Sequence, residues 1–118
     1  MRVLIVEDEM MVAMLLEDML SDLGHTVVGI VSQIDAAMNS ARHAEIDLAV
    51  LDLNLNGQQS LPVAEILRAR NIPFLFATGY GEAVLQGNFK EAPALQKPFV
   101  GDQLKNAIDS IRRAAVVD

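Results

Sequence analysis

A chain of 118 residues with a formal charge of −7 and 52% apolar residues has the length of one domain, large enough to bury about two-thirds of its unfolded surface. Its acidic balance, with a pI near 4.6, argues against nucleic-acid binding, which needs clustered Lys and Arg. The lack of cysteine excludes disulfides, thiolate metal sites and cysteine nucleophiles.

Mean hydropathy is high at +0.29, yet no apolar run approaches the ~20 residues of a membrane span. Strand-like residues begin at Arg2-Val3, where a secretory leader would place a cationic and then an apolar stretch. The expectation is one cytoplasmic domain over residues 1–118, without a separate effector domain and without membrane contact.

Val3-Leu4-Ile5-Val6 reads as a buried strand closed by Glu7 and Asp8. Val12, Leu16, Met19 and Leu23 keep helical spacing, with Glu17, Asp18, Ser21 and Asp22 on the other side, and Gly24 is placed to end that helix. Thr26–Val31 reads as a second strand, followed by a start resembling a capping box at Ser32-Gln33-Ile34-Asp35. The second helix runs to about Ala44 with a face of Ala37, Ala41 and Ala44, small enough for close but weak packing. Met10, Met11, Met14, Met19 and Met38 read as helix packing rather than a ligand surface.

Leu48-Ala49-Val50-Leu51 forms a third strand closed by Asp52, and residues 54–60 a polar loop, with Pro62 in the first turn of the next helix. Phe74-Leu75-Phe76-Ala77 is a fourth strand closed by Thr78. Gly79, Gly81 and Gly87 then break up the chain, so a fourth helix is expected to be short and mobile. Ala94-Leu95-Gln96 is a brief fifth strand ending at Lys97, and a fifth helix presents Val100, Leu104, Ile108 and Ile111 to the sheet. Arg68, Arg70, Arg112 and Arg113 fall near helix C-termini, where cations suit the dipole. His25 and His43 fall at the opposite side from the strand tips and read as surface residues.

Strands alternating with helices at this rhythm imply an α/β domain, a parallel sheet covered on both faces through right-handed crossovers. Five units make a flavodoxin-like, doubly wound fold. In such a sheet the ligand crevice lies outside the carboxyl ends of the strands, so Glu7, Asp8, Asp52, Thr78 and Lys97 are expected to converge. Grouped carboxylates repel unless a cation neutralises them, and an all-oxygen set favours Mg²⁺. The chemistry this suggests is phosphoryl transfer with Asp52 as acceptor.

Ile5-Val6-Glu7-Asp8-Glu9, Val50-Leu51-Asp52-Leu53-Asn54-Leu55, Phe76-Ala77-Thr78-Gly79-Tyr80 and Lys97-Pro98-Phe99, in this order and spacing, resemble the receiver domain of two-component response regulators over the whole chain. The resemblance implies strand order 2-1-3-4-5 and five helices. It implies a phosphoryl group taken onto Asp52 from a histidine kinase or histidine phosphotransfer protein. Metal ligands would be Asp8, Asp52 and the backbone carbonyl of Asn54, with Glu7 acting through water. Lys97 would pair with Asp52 beforehand and with a phosphoryl oxygen afterwards, Thr78 would supply a hydroxyl donor and act as the switch, and the Lys97-Pro98 bond would be cis. Such a domain is not a turnover enzyme; it catalyses its own Mg²⁺-dependent phosphorylation and dephosphorylation. It changes affinity for a downstream protein through the fourth helix, fifth strand and fifth helix.

The sequence departs from the family pattern in three places. Glu7 replaces the usual aspartate, Asn56 stands where many members carry proline, and Ala94 stands where a Tyr or Phe commonly reports phosphorylation. Phe76-Ala77-Thr78-Gly79 looks like the signature of a receiver subgroup familiar from alphaproteobacteria, which suggests stress or environmental signalling, and Tyr80 is a candidate replacement switch. Two other classes fit less well. A haloacid-dehalogenase-type phosphatase places its nucleophile after the first strand, and a flavin or nucleotide module would have phosphate repelled by the first-strand acids. Glu9 reads simply as an acid near a helix N-terminus.

Overall fold

Runs such as Val3-Leu4-Ile5-Val6 and Ala49-Val50-Leu51, with no polar break, are buried on both sides, as strands between two helical layers must be. The computed structural model describes residues 1–79, 89 and 92–117. In chain order it contains β1 (Arg2–Val6), α1 (Met10–Asp22), β2 (Thr26–Val31), α2 (Ile34–His43), β3 (Leu48–Asp52), β4 (Asn54–Leu55), β5 (Gln58–Gln59), α3 (Leu61–Ala69), β6 (Phe74–Thr78), β7 (Ala94–Gln96) and α4 (Gly101–Val117).

The main sheet is parallel in the order β2-β1-β3-β6-β7, which is the expected 2-1-3-4-5 counted over its five strands. Four helices lie among the described residues. The expected short fourth helix falls beyond Gly79, outside the described residues, and α4 is the helix expected as the fifth.

One core packs Leu4, Val6, Leu51 and Phe76 under α2 and α3, and the other packs Val3, Ile5, Val50 and Leu75 under α1 and α4. On the first side Ala37 and Ala41 are fully buried, so α2 does approach the sheet through small residues. Phe74, Phe76 and Phe89 meet edge to face there, and the Arg68 guanidinium lies 4.4 Å from the Phe89 ring centroid. On the second side α1 buries Ala13, Leu16 and Leu20, each full-sized chain contributing about 1.5–3 kcal/mol. That stripe is turned from the expected one. Val12, Met19 and Leu23 flank it, half-buried, because Ala13 is small enough to face the sheet directly.

The expectation that the methionines pack inside fails for three of them. Met10, Met11 and Met14 are exposed, together with Leu15, while Met19 and Met38 do pack against the cores. Val100, expected to face the sheet, is also exposed. It precedes α4, and its N–H is accepted by the Gln103 side chain at 2.8 Å.

The turn chemistry is legible residue by residue. After α1, Gly24 adopts φ +88°, its N–H donates to the Ser21 carbonyl and that of His25 to the Leu20 carbonyl, a Schellman motif. Asn71 (φ +60°) and Ile72 repeat the pattern after α3 with Arg68 and Leu67. Residues 54–60, expected as a polar loop, contain a short hairpin. Asn56 (φ +53°) and Gly57 (φ +85°) turn β4 back onto β5 as an antiparallel hairpin, because an Asn-Gly pair tolerates the left-handed conformation both central positions of a two-residue turn require. Proline, with φ fixed near −65°, could not stand at position 56 in this turn. The expected capping box at Ser32 does not form. Gln33 is the N-cap of α2 and makes no side-chain capping bond.

Candidate functional site

β1, β3, β6 and β7 run in the same direction, so the residues that follow them gather at one edge. Glu7 continues the β1–β2 ladder through its N–H, donated to the Val31 carbonyl at 3.0 Å, and its side chain is 1% exposed. Asp52 ends β3 in register with Ala77, which puts Thr78 one residue further along the neighbouring strand. The Lys97 N–H donates to the Thr78 carbonyl at 2.8 Å, anchoring the lysine beside it. Asp52 and Thr78 are both buried. Asp8, Asp52, Asn54, Thr78 and Lys97 share the wall of one open cavity of about 610 Å³.

Lys97 Nζ donates to Glu7 Oε2 at 2.8 Å and lies 3.5 Å from Asp52 Oδ2. The expected pairing of the lysine with Asp52 is present, and Glu7, whose extra methylene relative to the aspartate usual there carries the carboxylate further across the site, comes closer still. The other Glu7 oxygen accepts the Glu9 N–H at 3.1 Å. Asp52 Oδ1 accepts the Asn54 N–H at 3.3 Å, and Asp8 Oδ2 accepts the Asn56 N–H at 3.0 Å. The Lys97-Pro98 peptide bond is cis.

Burial pushes the Asp52 carboxyl up to about 7, the neighbouring Glu7 carboxylate adds to the push, and Lys97 only partly offsets it. Burial also acts to raise Asp8, but the hydrogen bond from Asn56 and those shared with Asp52 and Glu7 outweigh it and hold Asp8 below its ordinary value. For Lys97 the loss of water opposes the charge, yet the Glu7 hydrogen bond and the Asp52 charge keep it above its usual range. An acid held below its ordinary value, an acid raised to about 7 and an amine held above its ordinary value thus share one small volume.

Glu7, Asp8 and Asp52 each bring an oxygen within 4.8 Å of the other two. Their mutual repulsion, visible in the raised Asp52, is what a divalent cation relieves, and the donors are all oxygen, as Mg²⁺ requires. These residues therefore fit that ion. Glu9, read as an acid near a helix start, is the N-cap of α1 and makes no side-chain capping bond. Tyr80, the candidate switch, lies outside the described residues. Ala94 pairs with Phe76 in register and packs against the cluster containing Phe76 and Phe89.

Two features of the site were not read from the sequence. Gly57 and Gln59 of the hairpin line the cavity, and the Asn-Gly dipeptide was the signal for that turn. Beside the cavity lies a small apolar groove of about 120 Å³ between Leu15, Met19 and Pro98, sharing Lys97 with it. The signal there was the apolar run of Val12, Leu15, Leu16 and Met19 along α1.

Residues 3–109 match the family described as response regulator receiver domain. SdrG from Sphingomonas melonis Fr1 has a solution structure superposing with a TM-score of 0.84 at 45% identity, covering 93% of this chain and 94% of SdrG. A second SdrG structure, described as its BeF3-activated conformation, gives a TM-score of 0.79. The phyllosphere-induced regulator PhyR of Methylorubrum extorquens is 34% identical over 82% of this chain and 38% of its own length, so the chain spans well under half of that relative. The anti-anti-sigma factor PhyR from Bartonella quintana is 31% identical, covering 98% of this chain and 50% of that one, with a TM-score of 0.80. With the family pattern matched over almost its full length and the acid, hydroxyl and amine residues gathered at one edge of the sheet, the chain belongs to the response regulator receiver domain family of two-component signalling.

Proposed function

We propose that this receiver accepts a phosphoryl group on Asp52 from a phosphohistidine of a histidine kinase or phosphotransfer protein and thereby changes its affinity for a partner protein. The observation that carries the reading is the juxtaposition of Asp52 with Lys97, Thr78 and two further acids around one open cavity.

An Asp52 oxygen attacks phosphorus as the bond from phosphorus to the donor imidazole nitrogen breaks, and the electron pair returns to that nitrogen. Asp8, Asp52 and the Asn54 carbonyl would hold Mg²⁺, with Glu7 reaching it through water. Bound there, Mg²⁺ supplies charge neutralisation for the acids and the incoming phosphoryl oxygens. Lys97 stands within reach of both Glu7 and Asp52, so a phosphoryl oxygen on Asp52 offers it a new anionic partner, and Thr78, at the end of the neighbouring strand, offers a hydroxyl. The resulting pull on β6 biases the segment that follows Thr78 and the surface formed by β7 and α4. Bartonella PhyR is described as an anti-anti-sigma factor, which supports an output read through protein affinity. The exposed side chain of Leu15 lines the apolar groove that shares Lys97 with the cavity, which suits contact with a protein donor rather than a small one.

The test is incubation with Mg²⁺ and acetyl phosphate followed by mass spectrometry. The chain gains one labile phosphoryl group and Asp52→Asn gains none. Labelling of the variant at one equivalent would overturn the assignment of Asp52.

A further inference from the structure

Asn56 joins three segments that no other residue of the hairpin brings together. Its backbone N–H donates to Asp8 Oδ2 at 3.0 Å, in the turn after β1. Its side-chain Nδ2 donates to the Ser32 carbonyl at 2.9 Å, in the turn after β2. Its own place is the turn between β4 and β5, just beyond Asp52, where φ is +53°. The turn is braced from within by the Gly57 N–H, donated to Asn54 Oδ1 at 3.1 Å. Asp8 is only half-buried, whereas Glu7 and Asp52 are buried, so of the three carboxylates it has the most room to turn, and this contact restrains it.

We propose that Asn56 is a positioning residue for cation binding: by donating to one oxygen of Asp8 and anchoring itself on Ser32, it fixes the direction in which the Asp8 carboxylate faces the acid cluster. The proposal rests on the reading of that cluster as a Mg²⁺ site and deepens it. A carboxylate has about four lone-pair sites, and one N–H takes only one of them, so Asp8 keeps acceptor capacity for a cation. Ordering the ligand before the ion arrives removes a conformational cost from binding. The left-handed backbone is part of the device. Asparagine adopts it at low cost and also carries the amide that reaches Ser32, glycine supplies the backbone alone, and proline supplies neither the backbone angle nor the N–H.

The experiment is a Mg²⁺ titration by calorimetry and by NMR of the backbone amides, on the full chain and two variants, with no phosphoryl donor present. Asn56→Pro loses affinity roughly tenfold or more, the range seen when an outer partner of a ligand is removed. Asn56→Gly, which keeps the N–H and the φ but not the Ser32 contact, stays within about threefold and so rescues most of the loss. A general loosening of the fold would not separate the two variants in that order. In the unsubstituted chain the amide proton of residue 56 moves on Mg²⁺ addition together with that of Asp8, a readout that survives even where Asn56→Pro does not fold. Equal affinity in Asn56→Pro and the parent, or an amide at residue 56 indifferent to Mg²⁺ while Asp8 responds, overturns the proposal and leaves the phosphoacceptor reading standing. A parent chain that takes up no Mg²⁺ removes both.

Discussion

The two edges of the sheet are finished in opposite ways. At the amino edge, α1 and α3 end in Schellman turns at Gly24 and Asn71, and the last carbonyls of α2 are met by Arg70, which donates to Ala41 at 2.6 Å and to Ala44 at 3.1 Å. At the carboxyl edge, α1, α2 and α3 start at Glu9, Gln33 and Ser60 without a side-chain capping bond. Such a bond is typically worth about 1 kcal/mol. The acids and Lys97 at that edge are turned towards one another and the cavity, and Ser60 Oγ, at the start of α3, is buried with no partner. Stability is concentrated where nothing has to bind, and the opposite edge keeps repelling charges and unmet donors in readiness.

The sharpest way to break this contrast is Asp52→Asn in the absence of Mg²⁺. Asp52 is raised to about 7 from an unfolded value near 3.9, so between those values the folded chain holds the proton more tightly than the unfolded one. Its contribution to stability is present below about pH 4 and is lost as the pH climbs to about 7. Removing the charge should therefore raise the melting temperature at neutral pH by an amount worth on the order of 2 kcal/mol, with the gap between variant and parent closing towards about pH 4. Mg²⁺ should then stabilise the parent more than the variant. A gap independent of pH would show that the acids are not in conflict.

At the other edge, Arg70→Ala leaves two helix-terminal carbonyls without their charged donor, and a loss of about 1–2 kcal/mol in denaturant unfolding is expected. Gly24→Ala should cost about 1 kcal/mol, because a Cβ there meets no atom within 4 Å and the whole penalty is the left-handed backbone. The smallest effect belongs to Ser60→Ala, within about 0.5 kcal/mol and on the stabilising side, since it removes a buried hydroxyl that has no partner to lose. A marked loss there would mean that Ser60 supports α3 after all.

Much of this was written in the sequence. Strands buried on both faces need uninterrupted apolar runs, so Val3–Val6 and Leu48–Leu51 declare themselves, and each run stops at an acid that the topology carries to the same edge. Gly24 and Pro62 were legible because each matches a backbone requirement few residues meet. What stayed hidden depended on side chains meeting across long separations. Lys97 prefers Glu7, 90 positions away, through one methylene of extra reach, which no local pattern encodes. The exposure of Met10, Met11 and Met14 follows from α1 turning Ala13 to the sheet, and an apolar count weights alanine too lightly to foresee that rotation. The hairpin at Asn56-Gly57 had a clear local signal, and Leu53-Asn54-Leu55 alternates before it, but the flank after it, Gln58-Gln59, has no apolar residue to mark a strand.

That turn also sets a chemical clock. In an Asn-Gly pair the following backbone nitrogen can attack the asparagine side-chain carbonyl, expelling ammonia and forming a succinimide that water opens to aspartate or its β-linked isomer. At Asn56 the product would carry a new carboxylate beside Asp8 and would lose the amide hydrogen bond to Ser32. The hydrogen bond to Ser32, by holding the side chain still, opposes the attack for as long as the turn stays folded. The ageing of a sample would thus be read first as one added negative charge at the rim of the acid cluster, and the rate at which it accumulates would measure how often the turn opens.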